Sequence, residues 1–136
     1  MKVGFTGTRS GMTNFQKELV KKELQTIWLQ HPDLLVIHGD CIGADADFDE
    51  IAMNLGIPRE IFPCHLMNMR ARRDKLGAVC TREPVAPLKR NQRIVDEVDI
   101  LFVAPYSSEE QVRSGTWFTV RYARKINKPH SIFWPH

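Results

Sequence analysis

Leu34-Leu35-Val36-Ile37-His38-Gly39-Asp40-Cys41-Ile42-Gly43-Ala44-Asp45 is the stretch that decides the fold. Its first four residues form a continuous apolar run, the composition of a strand covered on both faces. The run stops at a loop that holds two glycines. Phe48, Ile51, Ala52 and Leu55 then recur at helical spacing up to Gly56, a residue suited to a left-handed C-terminal cap. Strand, glycine loop and helix in this order make half of a parallel crossover, because parallel strands need a helix to carry the chain back to its starting edge.

Outward from this unit the same order repeats. Val3-Gly4-Phe5 predicts a first strand that feeds the loop Thr6-Gly7-Thr8-Arg9-Ser10-Gly11-Met12-Thr13. Thr13 and Gln16 have capping-box spacing, and Phe15, Leu19, Val20, Leu24, Ile27 and Trp28 define one face of a helix ending near His31-Pro32. Downstream, Ile57-Pro58 leads into a third strand at Glu60-Ile61-Phe62. From His65 to Lys75, Met67 and Met69 mix with Arg70, Arg72 and Arg73, which fits a short basic helix or an ordered loop. Ala78-Val79-Cys80 reads as a brief strand, residues 91–97 as a compact helix with Ile94 and Val95 inward, and Ile100-Leu101-Phe102-Val103-Ala104 as a strand.

A polar loop then runs from Pro105 to Gly115, longer than the roughly two to six residues common between strand and helix, as a lid or binding loop would be. Thr116, Val120, Ala123 and Ile126 line a last helix, and Ser131-Ile132-Phe133-Trp134 forms the final strand. The pattern predicts an α/β fold: a single-domain, three-layer Rossmann-like fold over residues 1–136, with a mostly parallel five- or six-stranded sheet.

A length of 136 residues suits one domain, and 43% hydrophobic with 26% charged residues is an ordinary globular mix. No run approaches the roughly 18 apolar residues of a membrane span, and no apolar leader precedes the first strand. The expectation is a cytoplasmic protein without a membrane partner. Cys41, Cys64 and Cys80 are widely spaced without a CxxC pair, so free thiols are expected, with neither a metal site nor a cofactor. A net charge of +3 permits phosphate-bearing ligands and is too small to argue for DNA.

Three glycine-bearing loops lie between a strand and a helix: Gly7-Thr8-Arg9, Gly39-Asp40 with Gly43-Ala44-Asp45, and Ser114-Gly115-Thr116. In a parallel sheet all three meet at one edge, where their N–H groups and the adjoining helix N-termini favour a phosphate or carboxylate. Each glycine taken alone is also an ordinary turn former. No GxGxxG or Walker loop is present, so neither NAD binding nor ATP hydrolysis is indicated. Arg9, Arg90 and Arg113 are candidate phosphate partners. Asp40 and Asp45 are candidate acid/base or ribose-binding groups; Asp45 also suits a helix cap, Asp47 is a third acidic candidate, and His38 reads as a ligand contact or a packed histidine. Trp117 is a candidate to cover a base, and Arg70, Arg72 and Arg73 read as a solvated basic patch that could extend a nucleic-acid track.

These segments resemble the superfamily that joins the DNA-processing protein A domain with the LOG proteins, the cytokinin-activating phosphoribohydrolases. The resemblance runs through His38-Gly39-Asp40-Cys41-Ile42-Gly43-Ala44-Asp45, through Arg90-Asn91-Gln92-Arg93-Ile94-Val95, and through Ser114-Gly115-Thr116 with Thr119 and Ala123 behind it. It implies a Rossmann-like nucleotide-binding fold, a pocket bordered by Arg90-Asn91 and Ser114-Gly115-Thr116, and pairing of subunits into a homodimer. In the DNA-processing branch that surface binds single-stranded DNA, which would make Arg9, Arg90, Arg93 and Arg113 phosphate contacts. In the phosphoribohydrolase branch a catalytic glutamate follows the glycine-threonine motif, and this chain has Thr119 there. The expected ligand is a nucleotide or nucleotide-derived small molecule. N-glycoside hydrolysis or transfer, with Asp40 or Asp45 as catalytic carboxylate, and binding of single-stranded nucleic acid are the alternatives.

Overall fold

A computed structural model describes all 136 residues. Six strands, β1 (Lys2–Gly7), β2 (Leu35–His38), β3 (Arg59–Ile61), β4 (Cys80–Thr81), β5 (Ile100–Ala104) and β6 (His130–Ile132), form one sheet in the order β4-β3-β2-β1-β5-β6. Every neighbouring pair is parallel. The chain walks from β1 outward to β4, returns to place β5 beside β1, and walks outward again to β6. The order therefore reverses between β1 and β5, whose last residues Gly7 and Ala104 lie in register.

Two helix pairs cover the sheet. α1 (Asn14–Gln30) and α2 (Ala44–Leu55) pack on one face, where Val20, Leu24, Phe48 and Ala52 meet Val3, Phe5 and Phe102. Phe5 and Phe48 stack at 4.3 Å between ring centres, and burying each ring contributes roughly 2–3 kcal/mol. α3 (Pro87–Glu97) and α4 (Gly115–Lys125) cover the other face, bringing Ile94, Val95, Val120 and Ala123 against Ile37, Leu101 and Val103.

Several boundaries differ from the sequence reading. α3 begins at Pro87, ahead of the expected start, because proline at the first helical position lacks only an N–H that would have no helical partner. Gly115 enters the first turn of α4 instead of preceding it, with Ser114 as the cap. On α1, Phe15 and Leu19 lie outside the core, and Gln16 takes the inward position. Its side-chain amide donates to the carbonyls of Pro105 (2.9 Å) and Phe133 (2.8 Å), tying the ends of β5 and β6 together, while Thr13 and Gln16 close the capping box.

Residues 62–79 form an ordered excursion with single 3-10 turns at Met67–Met69 and Arg73–Leu76. The arginines here are not a solvated patch. Arg70 donates to Asp40 (3.1 Å), Arg72 to Asp74 (3.1 Å) and Arg73 to Asp49 (2.9 Å), and only 6% of the Arg70 side chain is exposed. Sequence spacing could not show this, since the buried carboxylates Asp40 and Asp49 that fix the excursion lie 20 or more residues upstream.

Candidate functional site

A crevice of about 440 Å³ opens at the strand-order reversal, the position where open parallel sheets take ligands and a volume within the usual small-molecule range. Thr6, Gly7, Thr8 and Arg9 supply one wall from β1 and its loop. Cys41 and Asp45 enter from the turn into α2, and Asn91 from α3. The opposite wall is Tyr106, Ser107, Gln111 and Arg113 from the long loop, with Ser114, Gly115, Thr116 and Trp117 at the start of α4.

Local chain geometry explains how these groups meet. Gly43 has φ +100°, and a Cβ there would fall 2.3 Å from the Arg9 carbonyl oxygen; glycine alone lets the first two loops approach this closely. Ala44 N–H then donates to the Thr8 carbonyl (2.9 Å). Asp45 accepts the N–H groups of Gly39 (3.2 Å) and Cys41 (3.1 Å) on a single carboxylate oxygen, which closes the turn before α2. Ser114 accepts the Trp117 N–H and caps α4, while Gly115 stands open, its nearest obstacle to a Cβ being the Asn91 amide nitrogen at 4.0 Å.

The wall is rich in donors that have no acceptor in the protein. Thr6 and Thr116 are each 8% exposed, and neither hydroxyl has a protein partner. Asn91 accepts Arg90 Nε on its carbonyl oxygen (2.6 Å), an arrangement that leaves the amide N–H groups for the crevice. Arg113 faces no carboxylate, and Arg9 touches only the Met69 sulfur (3.4 Å). Gly115 and Thr116 occupy the first turn of α4, where N–H groups have no helical acceptor and the helix dipole favours negative charge. Asp45 is the one carboxylate in the lining, and one of its oxygens accepts both N–H donors while the other has no protein partner.

Of the residues anticipated for the site, Gly7, Thr8, Arg9, Asp45, Asn91, Arg113, Ser114, Gly115, Thr116 and Trp117 come together in the crevice. Gly39, Asp40, Gly43, Ala44 and Arg90 lie behind it. Arg90 is 4% exposed and donates to the carbonyls of Gly39 (2.7 Å) and Phe62 (3.2 Å) and to the Cys41 sulfur (3.1 Å), so its guanidinium stitches the loop after β2 to β3 and α3. Asp40 is fully buried and accepts Arg70 and the Arg73 N–H (2.7 Å). Arg93 lines a separate cavity with Phe62 and Arg82. Asp47 accepts the Met12 N–H (2.8 Å). His38 is fully buried; its Nδ1 accepts the Asp40 N–H (2.9 Å) and Nε2 meets Asp49 at 2.7 Å.

Thr6, Cys41, Tyr106, Ser107 and Gln111 are lining residues the sequence reading did not single out, although the last three lie in the loop it read as a lid or binding loop. Thr6 had a signal: it follows Gly4 by two on β1, and alternation puts it on the α3 side. Tyr106 had one also, as the single aromatic in an otherwise polar loop.

Burial raises the pKa of Asp40 above the usual carboxylate range, against the opposing pull of the Arg73 N–H, His38 and Arg70. For Asp49 burial acts in the same direction but is outweighed by hydrogen bonds from His38, Arg59 and Arg73, which hold it at about 2. Burial pushes the Cys41 thiol up to about 12, with the Asp45 charge adding to the effect, so Cys41 presents a neutral thiol to the crevice and no nucleophile.

Comparison with solved structures finds the same architecture. DNA processing protein A from Helicobacter pylori, solved for its single-stranded DNA binding mode, aligns with TM-score 0.69 at 17% identity over 97% of this chain and 64% of that one. DNA processing protein A from Streptococcus pneumoniae aligns with TM-score 0.71 at 18% identity over 96% of this chain and 49% of that one. This chain has the fold of those proteins. It spans about half to two thirds of their length. The molybdenum cofactor binding protein from the phototrophic bacterium Rippkaea orientalis shares the fold too, with TM-score 0.67 at 16% identity over 96% of this chain and 74% of that one. No protein-family model matches the sequence. No curated protein matches it either. The Rossmann-like resemblance read from the sequence therefore holds at the level of the fold. No helix is long and apolar enough to cross a membrane.

Proposed function

We propose that the crevice binds a nucleotide or nucleotide-derived small molecule by its phosphate. One observation carries the reading: donors without protein acceptors, from Thr6, Asn91, Arg113 and the first turn of α4, converge at the strand-order reversal and outnumber the single lining carboxylate, one oxygen of which already accepts two N–H groups. An anion is the complement of such a wall. The size and polarity of the crevice suit one compact ligand, in keeping with the molybdenum cofactor bound by a protein of the same fold.

Single-stranded nucleic acid has a same-fold binder in its favour. A polymer needs a track of unpaired cations beyond the first phosphate, and here Arg70, Arg72 and Arg73 are held by Asp40, Asp74 and Asp49. Binding is also favoured over N-glycoside cleavage. Thr119, at the position of the glutamate in the resembling hydrolases, turns its hydroxyl onto the Gly115 carbonyl (2.8 Å), and Asp45 is fixed by the turn it closes. Native mass spectrometry of the freshly purified protein, followed by denaturation and identification of released molecules, tests the proposal. A stoichiometric nucleotide-like mass is expected. An empty protein that ignores mononucleotides and binds oligonucleotides with steep salt dependence would overturn it.

A further inference from the structure

We infer that Tyr106 is the platform on which the heterocycle of the ligand stacks, and hence the residue that makes the site prefer a base-bearing phosphate over a bare sugar phosphate. The inference rests on the proposed nucleotide site and adds to it the part that recognises the base. Trp117, the aromatic expected for that role, is 3% exposed; it packs against Trp134 at 6.2 Å and carries the Arg124 guanidinium at 6.0 Å from its ring centre. Almost none of its ring is left open to a ligand.

Tyr106 is 66% exposed, lines the crevice and has no hydrogen-bond partner for its hydroxyl. A large ring exposed at the rim of a polar site offers a face on which a heterocycle stacks irrespective of base identity. The backbone on either side of Tyr106 is anchored. Pro105, the preceding residue, is fixed by the Gln16 amide on its carbonyl (2.9 Å). Further along the loop, Glu110 accepts Arg124 (2.7 Å) and Arg121 (3.2 Å), and Arg121 donates to the carbonyls of Gln111 and Val112, clasping the segment to α4. Tyr106 starts this clasped loop two residues after Ala104, which is in register with Gly7, and it lines the same crevice as the phosphate-binding wall.

The test measures equilibrium binding of AMP, GMP, CMP, UMP and ribose 5-phosphate to the wild type, Tyr106→Ala and Tyr106→Trp. Tyr106→Ala is expected to weaken the best nucleotide about tenfold and ribose 5-phosphate less than twofold, while Tyr106→Trp keeps nucleotide affinity within about threefold. Equal losses for nucleotide and sugar phosphate, or no loss for either, would overturn the platform while leaving the phosphate site standing. Failure of the wild type to bind any of the four nucleotides would overturn the site itself, and the platform with it.

Discussion

Arginines around β2 and arginines around the end of β5 face opposite surroundings. Arg59 and Arg73 close on the two oxygens of Asp49 (2.8 and 2.9 Å), Arg70 on Asp40, and Arg90 on two carbonyls, all mostly buried. Arg113 and Arg9, at the crevice, are exposed and meet no carboxylate. The first group holds the loop after β2 and the excursion at 62–79 in place; the second is available to a ligand. A guanidinium is a binding residue only where the protein has left it without an acceptor, and sequence does not record that.

The sharpest way to break the contrast is Asp49→Ala. It leaves His38, Arg59 and Arg73 buried without their acceptor, and a cost of about 3–5 kcal/mol is expected in urea unfolding, a large share of a typical domain's stability. A loss under 1 kcal/mol would show that the cluster is not structural. Next is Gly43→Ala, which puts a Cβ at φ +100° against the Arg9 carbonyl and should cost about 2–3 kcal/mol by the same measurement. Gly115→Val, with open space around it, should leave stability within about 1 kcal/mol yet reduce nucleotide binding more than tenfold by filling the approach to α4.

Acid titration sharpens the first half of the contrast. Asp49 is held at about 2 in the native protein, against roughly 3.9 when unfolded. The unfolded chain therefore binds the proton first as pH falls, and stability present above about pH 4 is lost toward pH 2, on the order of 2 kcal/mol. Asp40, raised by burial, acts with the opposite sign: the native form takes its proton first, so acid restores stability at that group. Asp40→Asn should thus steepen the acid loss seen by circular dichroism. The smallest structural effect is expected for Arg113→Ala, within about 0.5 kcal/mol in stability but about tenfold weaker in phosphate binding.

Most of the architecture was legible because strand, glycine loop and helix alternate plainly, which leads to a mostly parallel sheet of five or six strands; the structure has six, all parallel. The loops that form the crevice were legible for the same reason: parallel strands deliver them all to one edge. Partners across the sheet were not. Arg90 and Asn91 are adjacent in sequence and part company in the fold, one buried against the Gly39 carbonyl and the other turned to the crevice. Asp40 and Asp45 were both candidate acid/base groups, yet the 62–79 excursion claims one and the turn before α2 claims the other. For Arg90 and Asp40 the sorting depends on contacts 30 to 51 residues away, which no local spacing encodes, whereas Asp45 is held by Gly39 and Cys41 close by.

The central claim is tested most directly by adding the four nucleoside monophosphates in turn to isotopically labelled protein and following backbone amide shifts by NMR. The account predicts the largest changes at Gly7, Thr8, Gly115 and Thr116, with Arg59, Arg70 and Arg73 nearly still. Changes centred on Arg82 and Arg93, or none with any nucleotide, would contradict it.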